Sequence, residues 1–410
     1  MSPLGYQFHD LFMGLKEKRF TFKLQREGML DVSKWINDNK ENLEDNKYKG
    51  IYERKNLIFI QVESLDKILI NNTINGQEVT PNLNRLIKNS LYFENIYEQN
   101  NMGSSSDCDL MVNSSVLPIQ NEMTFYEYPD VKLENLASIL KNRNYTTMSS
   151  HPESMNLSGG FNWEEAHVSA LGFDNVYDSE QLRGEEFINM GLSDGEYLKC
   201  VENKIKDLKK PFYNYSVTLT SHGDFSVLPD KYKYLNLQPE LKETILGNYF
   251  QIFRYTDEQI GKFINDIQND EDLKDTVFVI YGDHSSLHKY YHDKIMEINT
   301  EEQWWKDSEK RIPLIIYTPG QKGEVIDTYG GQIDIMPTIA YLMGIDRSEF
   351  EDKTMGRILV NTERNSTILT GGIIKGKVKS EDEKKHLLES YNVSDKFIRG
   401  NYLEWVEKNK

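Results

Sequence analysis

Cysteine is nearly absent: Cys108 and Cys200 are the two in a chain of 410 residues. No CxxC pair and no Cys/His cluster occurs, so a structural zinc site has little support. At most one disulfide is possible, and two free thiols fit the sequence equally well. Positive charge is also in deficit. Lys and Arg total 48 against 65 Asp and Glu, a formal net charge of −17. That argues against a nucleic-acid-binding surface. An anionic substrate remains open, because a bound divalent cation reverses the local field. No run of about eighteen apolar residues occurs, and no secretory leader is visible. The chain therefore reads as soluble, either by itself or as a soluble fragment. Internal repeats and low-complexity stretches are missing too.

What is present is a set of sharp apolar runs in a polar chain. Apolar residues make up 38% and aromatic residues 11%, which is not a disordered composition. NLIFIQV from Asn56 is nearly continuous apolar, as expected of a buried parallel strand. TVFVIYG, RIPLIIY, LYFENIYEQ, YTTMSS and PFYNYSVTLT read as further strands. Helical patterns alternate with them. VTPNLNRLIKNS has Thr80 as a candidate N-cap with Pro81 at the first helical position. LENLASILKNRN, GEEFINM, DGEYLKCVENKIKDL, a long segment from roughly Lys242 to Asn269, and QIDIMPTIAYLM stopped by Gly344 complete the central helices. DLFMGLKEK and DVSKWINDNKENL suggest a helical arm over residues 1–50. The strand-like TILTGGIIKGKV and the helical SEDEKKHLLESYN and YLEWVEKNK close the chain. Strands alternating with helices predict an α/β domain with a mainly parallel sheet flanked by helices.

Chemistry concentrates at the ends of these strands. Glu63 ends the first apolar run, and Asp283 and His284 follow TVFVIYG directly. Two carboxylates and an imidazole are standard ligands for Mn²⁺ or Zn²⁺. Open α/β folds place such groups in the crevice beyond their strand ends. Ser105 lies in GSSSDCD, where small residues permit a tight turn or a helix start whose N–H groups face an anion. A hydroxyl beside such a metal site can lose its proton and attack phosphorus. His151 and His222 each follow a strand-like run and suit a phosphoryl hydrogen bond or general-acid role. Trp163 suits packing on a sugar or glycerol face. His288 and His292 read as rim residues. Lys289 can steer an anion, although a solvated lysine is its ordinary role.

Five segments together resemble the extracellular catalytic domain of lipoteichoic acid synthases, in the alkaline phosphatase and sulfatase superfamily. They are VESL (62–65), GSSSDCD (103–109), LTSH (219–222), YGDH (281–284) and TYGGQIDIMPTIAYLMGI (328–345). The resemblance runs from about Asn56 to about Gly356. It implies a sulfatase-like catalytic domain over 51–356 and a small C-terminal α+β subdomain over 357–410, with residues 1–50 packed on the main domain. It implies Mn²⁺, with Mg²⁺ or Zn²⁺ as alternatives, held by Glu63, Ser105, Asp283 and His284. It also implies Ser105 as nucleophile, and His151, His222 and Trp163 against the phosphoglycerol. The implied donor is the headgroup of phosphatidylglycerol, and the implied acceptor is a growing polyglycerolphosphate chain at the cell membrane, outside the cell. Members carry N-terminal transmembrane helices, which this chain lacks.

The sequence departs from the family pattern in two places. Ser105 stands where the family has threonine, keeping the hydroxyl but losing the methyl that restricts χ1. The arginine that accompanies the family tryptophan has no clear match in NWEEAH. A phosphoethanolamine transferase, a phosphodiesterase of the same superfamily, and a catalytically weak glycerophosphate-binding envelope protein are the alternative readings. The sulfatase CxPxR-like signature is missing, which disfavours formylglycine chemistry.

Overall fold

The computed structural model describes residues 27–154, 163–307 and 309–409. The DLFMGLKEK helix expected near the start, and the glycine-containing loop over 155–162, lie outside the described residues. In chain order the larger elements are α1 (Glu27–Asn39), β1 (Asn56–Val62), α2 (Pro81–Ile87), β2 (Ser90–Tyr97), α3 (Ser105–Ser114) and β3 (Thr146–Ser150). Next come α4 (Trp163–Ser169), β4 (Asn175–Tyr177), α5 (Asp194–Lys206), β5 (Phe212–Val217), α6 (Ile245–Asn269), β6 (Thr276–Gly282) and α7 (Leu287–Met296). Then follow β7 (Arg311–Tyr317), β8 (Glu324–Ile326), β9 (Gly330–Gly331) and α8 (Ile335–Leu342). The C-terminal part is the hairpin β10 (Asn365–Leu369) and β11 (Ile373–Lys377), followed by α9 (Glu381–Arg399) and α10 (Tyr402–Lys408).

The main sheet has the order β8-β2-β7-β6-β1-β5-β3-β4, with β9 also paired to β2. Strand β7 runs antiparallel to its neighbours β6 and β2, and the other pairings are parallel. This is the mainly parallel α/β sheet expected from the alternation of elements. β1 sits at its centre with all seven residues buried. Successive side chains of a strand point to opposite faces, and both faces are covered here. Leu57 and Phe59 join Val277, Val279, Tyr213 and Tyr215 beneath α3 and α8. Ile58, Ile60 and Val62 join Phe278, Ile280 and Phe212 beneath α5 and α6. Each such side chain stabilises the fold by about 1.5–3 kcal/mol, so truncating Ile60 to Ala would weaken the sheet centre directly.

The first core is continuous with the chain's ends. Met29, Val32 and Trp35 of α1 and Tyr391, Phe397 and Ile398 of α9 belong to it. Trp35 stacks on His386 at 4.1 Å and donates to the His386 carbonyl at 3.0 Å. Among the described residues no helix is long and apolar enough to cross a membrane.

Two local expectations are corrected. GEEFINM is not a helix: Phe187–Ile188 pairs antiparallel with Gly191–Leu192. Asn189 takes φ 63° and closes the turn, a conformation asparagine tolerates better than most residues. At α2, Pro81 does open the helix, but the Thr80 side chain does not cap it. Thr80 donates to the Leu69 carbonyl instead. The N–H groups of Asn82 and Leu83 are taken by the Asp257 carboxylate of α6, at 2.9 and 2.8 Å. A tertiary carboxylate thus replaces the local cap. Thr244 does cap α6, accepting from Gly247 N–H at 3.0 Å. Gly344, with φ 80°, lies just past α8 as expected.

Candidate active site

The parallel register of β1 and β6 builds the centre of the site. Val62 pairs with Gly282, so Glu63 and Asp283 leave adjacent strand ends side by side. Their backbones then cross-brace. Asp283 Oδ1 accepts from the N–H groups of Ser64 and His284, both at 2.7 Å. Ser64 holds φ 63° to make this turn, a strained position for a residue with a side chain. The loop after β5 supports Glu63 from the other side. Thr218 Oγ1 accepts from Glu63 N–H at 3.2 Å, and Ser221 Oγ donates to the Glu63 carbonyl at 2.6 Å. That loop is itself held by Asp194, whose carboxylate accepts from Leu219 and Thr220 N–H at 3.0 Å.

Glu63, Asp283 and His284 bring one ligand atom each within 4.8 Å of one another, and all are buried. Among the described residues this is the one such His/Cys/Asp/Glu group. His284 Nε2 lies 3.2 Å from Glu63 Oε1 and 3.7 Å from Asp283 Oδ2. Asp283 Oδ2 is buried and has no hydrogen-bond partner. An orphaned carboxylate oxygen in so acidic a buried cluster fits a cation ligand, and the oxygen and nitrogen donor set fits a divalent metal. The titration behaviour agrees. Burial works to raise Glu63, but the His284 charge and hydrogen bond outweigh it and hold the carboxyl well below the usual range. Burial, then the Glu63 charge, pushes Asp283 well above its ordinary value. Burial opposes charging of His284, yet Asp283 and Glu63 prevail and raise it to about 10.

Ser105 is the first residue of α3, and its Oγ donates to Glu63 Oε2 at 2.9 Å. The preceding Ser104 has φ 48°, so the loop before Ser105 turns through a strained residue before the helix begins. Asn100 Nδ2 ties this loop to the one that carries Asp283, donating to the carbonyls of Ser104 and Asp283 at 2.8 and 2.9 Å. Gln332 also donates to the Asp283 carbonyl and reaches Cys108 Sγ at 3.1 Å. The helix-start cradle expected from GSSSDCD is partly occupied. The N–H groups of Ser106, Asp107 and Cys108 already donate to Gly103 or Ser104 carbonyls. Cys108 and Cys200 are free thiols.

His151 follows β3 and accepts from Glu153 N–H at its Nδ1, 3.2 Å away. That leaves Nε2 as the donor of a neutral ring. Burial pushes His151 down to about 4. His222 lies on the loop after β5, close enough that its charge helps to hold Glu63 down and His151 down. Trp163 opens α4 with its ring 5.2 Å from His151 and 4.0 Å from His167. His151 and His222 thus lie close enough to Glu63 for their charges to interact, and Trp163 lies against His151. His288 and His292 do not join it. They pair with each other at 3.2 Å, and His288 Nε2 contacts the Trp305 carbonyl at 2.7 Å. Lys289 reaches Ser104 Oγ at 3.3 Å, so it sits at the loop before Ser105.

Sequence reasoning passed over Gln61, Asp109, His167 and Tyr215. Asp109 Oδ1 accepts from Gln61 Nε2 at 2.8 Å and from Tyr215 OH at 2.6 Å. Its Oδ2 lies 3.3 Å from His167 Nε2. A glutamine interrupting an otherwise apolar buried strand was the one available signal.

A family profile described as Sulfatase matches residues 55–345. Lipoteichoic acid synthase 2 of Bacillus subtilis is 29% identical over 357 residues, covering 85% of this chain and 54% of that protein. The lipoteichoic acid synthase of Staphylococcus saprophyticus is 32% identical over 350 residues, covering 82% and 53%. The chain spans about half the length of the curated relatives it matches. Among solved structures, the lipoteichoic acid synthase LtaP of Listeria monocytogenes superposes with a TM-score of 0.77 at 27% identity, over 89% of this chain and 98% of that one. A Streptococcus pyogenes phosphoglycerol transferase in complex with sn-glycerol-1-phosphate shares the fold, with a TM-score of 0.59 at 15% identity, over 94% and 96% of the two chains.

Proposed function

The chain belongs to the sulfatase family, and on that premise we propose that it is a metal-dependent phosphoglycerol transferase of the lipoteichoic acid synthase type. The observation that carries the reading is the contact of Ser105 Oγ with Glu63 Oε2, at 2.9 Å, inside the Glu63–Asp283–His284 cluster. Two buried carboxylates and an imidazole gathered beside a hydroxyl form an arrangement that a bound cation would stabilise.

Glu63, Asp283 and His284 would hold the cation, with the Ser105 hydroxyl beside it; Mn²⁺ is the proposed ion, and Mg²⁺ or Zn²⁺ suit the same donors. Bound there, the ion stabilises the serine alkoxide and neutralises charge on the phosphoryl oxygens. The Ser105 hydroxyl would release its proton to solvent as the cation binds. Ser105 Oγ then attacks the phosphorus of a phosphatidylglycerol headgroup, and the bond from phosphorus to the diacylglycerol oxygen breaks. In the second step the acceptor oxygen attacks phosphorus, and the bond from phosphorus to Ser105 Oγ breaks. Neutral His151 donates its Nε2–H to a phosphoryl oxygen and is not a proton carrier at neutral pH. His222 protonates the departing diacylglycerol oxygen and, in the reverse role, deprotonates the incoming glycerol hydroxyl of the acceptor chain. Trp163 packs on the glycerol moiety. Serine in place of threonine leaves the nucleophile freer about χ1, and the covalent route is unchanged by it.

The experiment is a headgroup competition. With Mn²⁺, labelled phosphatidylglycerol in mixed micelles should release diacylglycerol, and phosphatidylethanolamine should not compete as a substrate. Turnover of phosphatidylethanolamine alone would overturn the substrate assignment in favour of a phosphoethanolamine transferase. Binding of polyglycerolphosphate with no product under saturating Mn²⁺ would mark a non-catalytic binding protein.

A further inference from the structure

His167 lies on the same short helix as Trp163, one turn on, and is fully buried. Its Nε2 contacts Asp109 Oδ2 at 3.3 Å, and its Nδ1 contacts Ser149 Oγ at 2.8 Å. A carboxylate only accepts, so Asp109 places the ring proton on Nε2. With both nitrogens engaged, the imidazole has a single orientation. In that orientation its face meets the Trp163 indole at 4.0 Å and 29°. Behind it stand Tyr215 and Phe173, at 5.7 and 5.8 Å. Trp163 in turn lies 5.2 Å from His151. The other half of the Asp109 carboxylate grips the nucleophile side. It accepts from Gln61 on β1 and Tyr215 on β5, and Gln61 Nε2 also reaches the Ser105 carbonyl at 3.4 Å. Asp109 is four residues along α3 from Ser105. One buried carboxylate therefore links the helix bearing the nucleophile to the ring beneath Trp163.

We propose that His167, oriented by Asp109, is a positioning residue that sets the Trp163 wall of the substrate pocket relative to Ser105, and so governs which headgroup fits. It touches no reacting atom. The proposal rests on the transferase reading for the nature of the substrate, but not for the geometry of the wall.

Two substitutions separate the ring from its hydrogen bond. His167→Gln keeps a donor that reaches as far as Nε2, for Asp109, and removes the ring surface under Trp163. His167→Phe keeps the surface and removes the donor. Two readouts apply: steady-state kinetics on phosphatidylglycerol with Mn²⁺, and the indole ¹⁵N–¹H resonance of Trp163, identified by its loss in W163F. Thermal unfolding confirms that each variant folds. His167→Gln should lower kcat/KM by about 10²-fold, the loss that a misplacement of about 1 Å can bring, with most of it falling on KM. Its kcat should stay near wild type, and the Trp163 resonance should shift. His167→Phe should restore most of the KM and return the resonance towards its wild-type position. An unshifted resonance in folded His167→Gln would overturn the proposal, as would a fall in kcat with KM unchanged. The resonance is read without substrate. If the wild type fails to turn over phosphatidylglycerol, the transferase reading fails while the wall geometry is still decided.

Discussion

Replacing Ser105 by alanine separates catalysis from folding. The Ser105 hydroxyl makes one hydrogen bond, to Glu63 Oε2 at 2.9 Å. Glu63 keeps two other partners, Ser64 Oγ at 2.8 Å and His284 Nε2 at 3.2 Å. A hydrogen bond to a charged group contributes about 1.5–3 kcal/mol. Ser105 is only half-buried, so water recovers part of that, and alanine suits the first turn of a helix. The net cost should be about 1 kcal/mol, a fall in Tm of no more than about 2–4 °C. Affinity for Mn²⁺ should stay within about tenfold of wild type, because Glu63, Asp283 and His284 remain. Turnover should collapse by about 10⁴–10⁶, the scale seen when a covalent nucleophile is deleted. The assay is diacylglycerol release from labelled phosphatidylglycerol, with calorimetric metal titration and thermal unfolding on the same sample. Turnover within about tenfold of wild type would refute Ser105 as nucleophile. A large loss of Tm alongside the loss of activity would mean that the hydroxyl serves the fold.

Asp283→Asn should leave the fold in place, since a carboxamide oxygen still accepts from the Ser64 and His284 N–H groups that Oδ1 serves now. It should abolish tight Mn²⁺ binding by calorimetry, because the orphaned Oδ2 is lost as an anionic ligand. His151 has its pKa lowered by burial to about 4 from 6.5. The unfolded chain therefore binds the proton first, and the stability this neutral ring contributes is lost as pH falls from about 6.5 towards about 4. Urea titrations across that range should show a steeper loss for the wild type than for His151→Gln, and equal losses would count against a neutral His151 in the folded protein. Gly331→Ala would drive a Cβ into the Gln99 carboxamide, which accepts from Ile333 N–H at 3.2 Å beneath the loop that carries Asp283. The expected loss is about 1–3 kcal/mol, read as a lower Tm and a weaker hold on the metal.

The sheet was legible because its strands are buried on both faces and so read as continuous apolar runs, NLIFIQV and TVFVIYG above all. Glu63, Asp283 and His284 were legible for a related reason: each follows such a run at once, and a parallel register brings the ends together. His151, His222 and Trp163 were placed through family resemblance more than through any local pattern. What escaped were interactions that join segments far apart in the chain. Asp257 caps α2 from 174 or more residues away, and no local pattern marks it. Asp109 appeared only as the last residue of GSSSDCD, and His167 only as the last residue of NWEEAH, where no family arginine was matched. Their meaning lies in a contact 58 residues apart in sequence. The hairpin at Asn189 was misread because EFINM carries helix-compatible residues; the left-handed φ of Asn189 and the close packing of Gly191 against Pro152 and Leu219 are not marked by any local pattern.

The most direct test of the account is an anomalous-scattering crystal structure of the chain grown with Mn²⁺ and a glycerophosphate ligand. The account requires one anomalous peak bonded to Glu63, Asp283 and His284 at about 2.0–2.2 Å, with phosphorus about 3–3.5 Å from Ser105 Oγ. An ion held elsewhere, or phosphate bound away from Ser105, would contradict it.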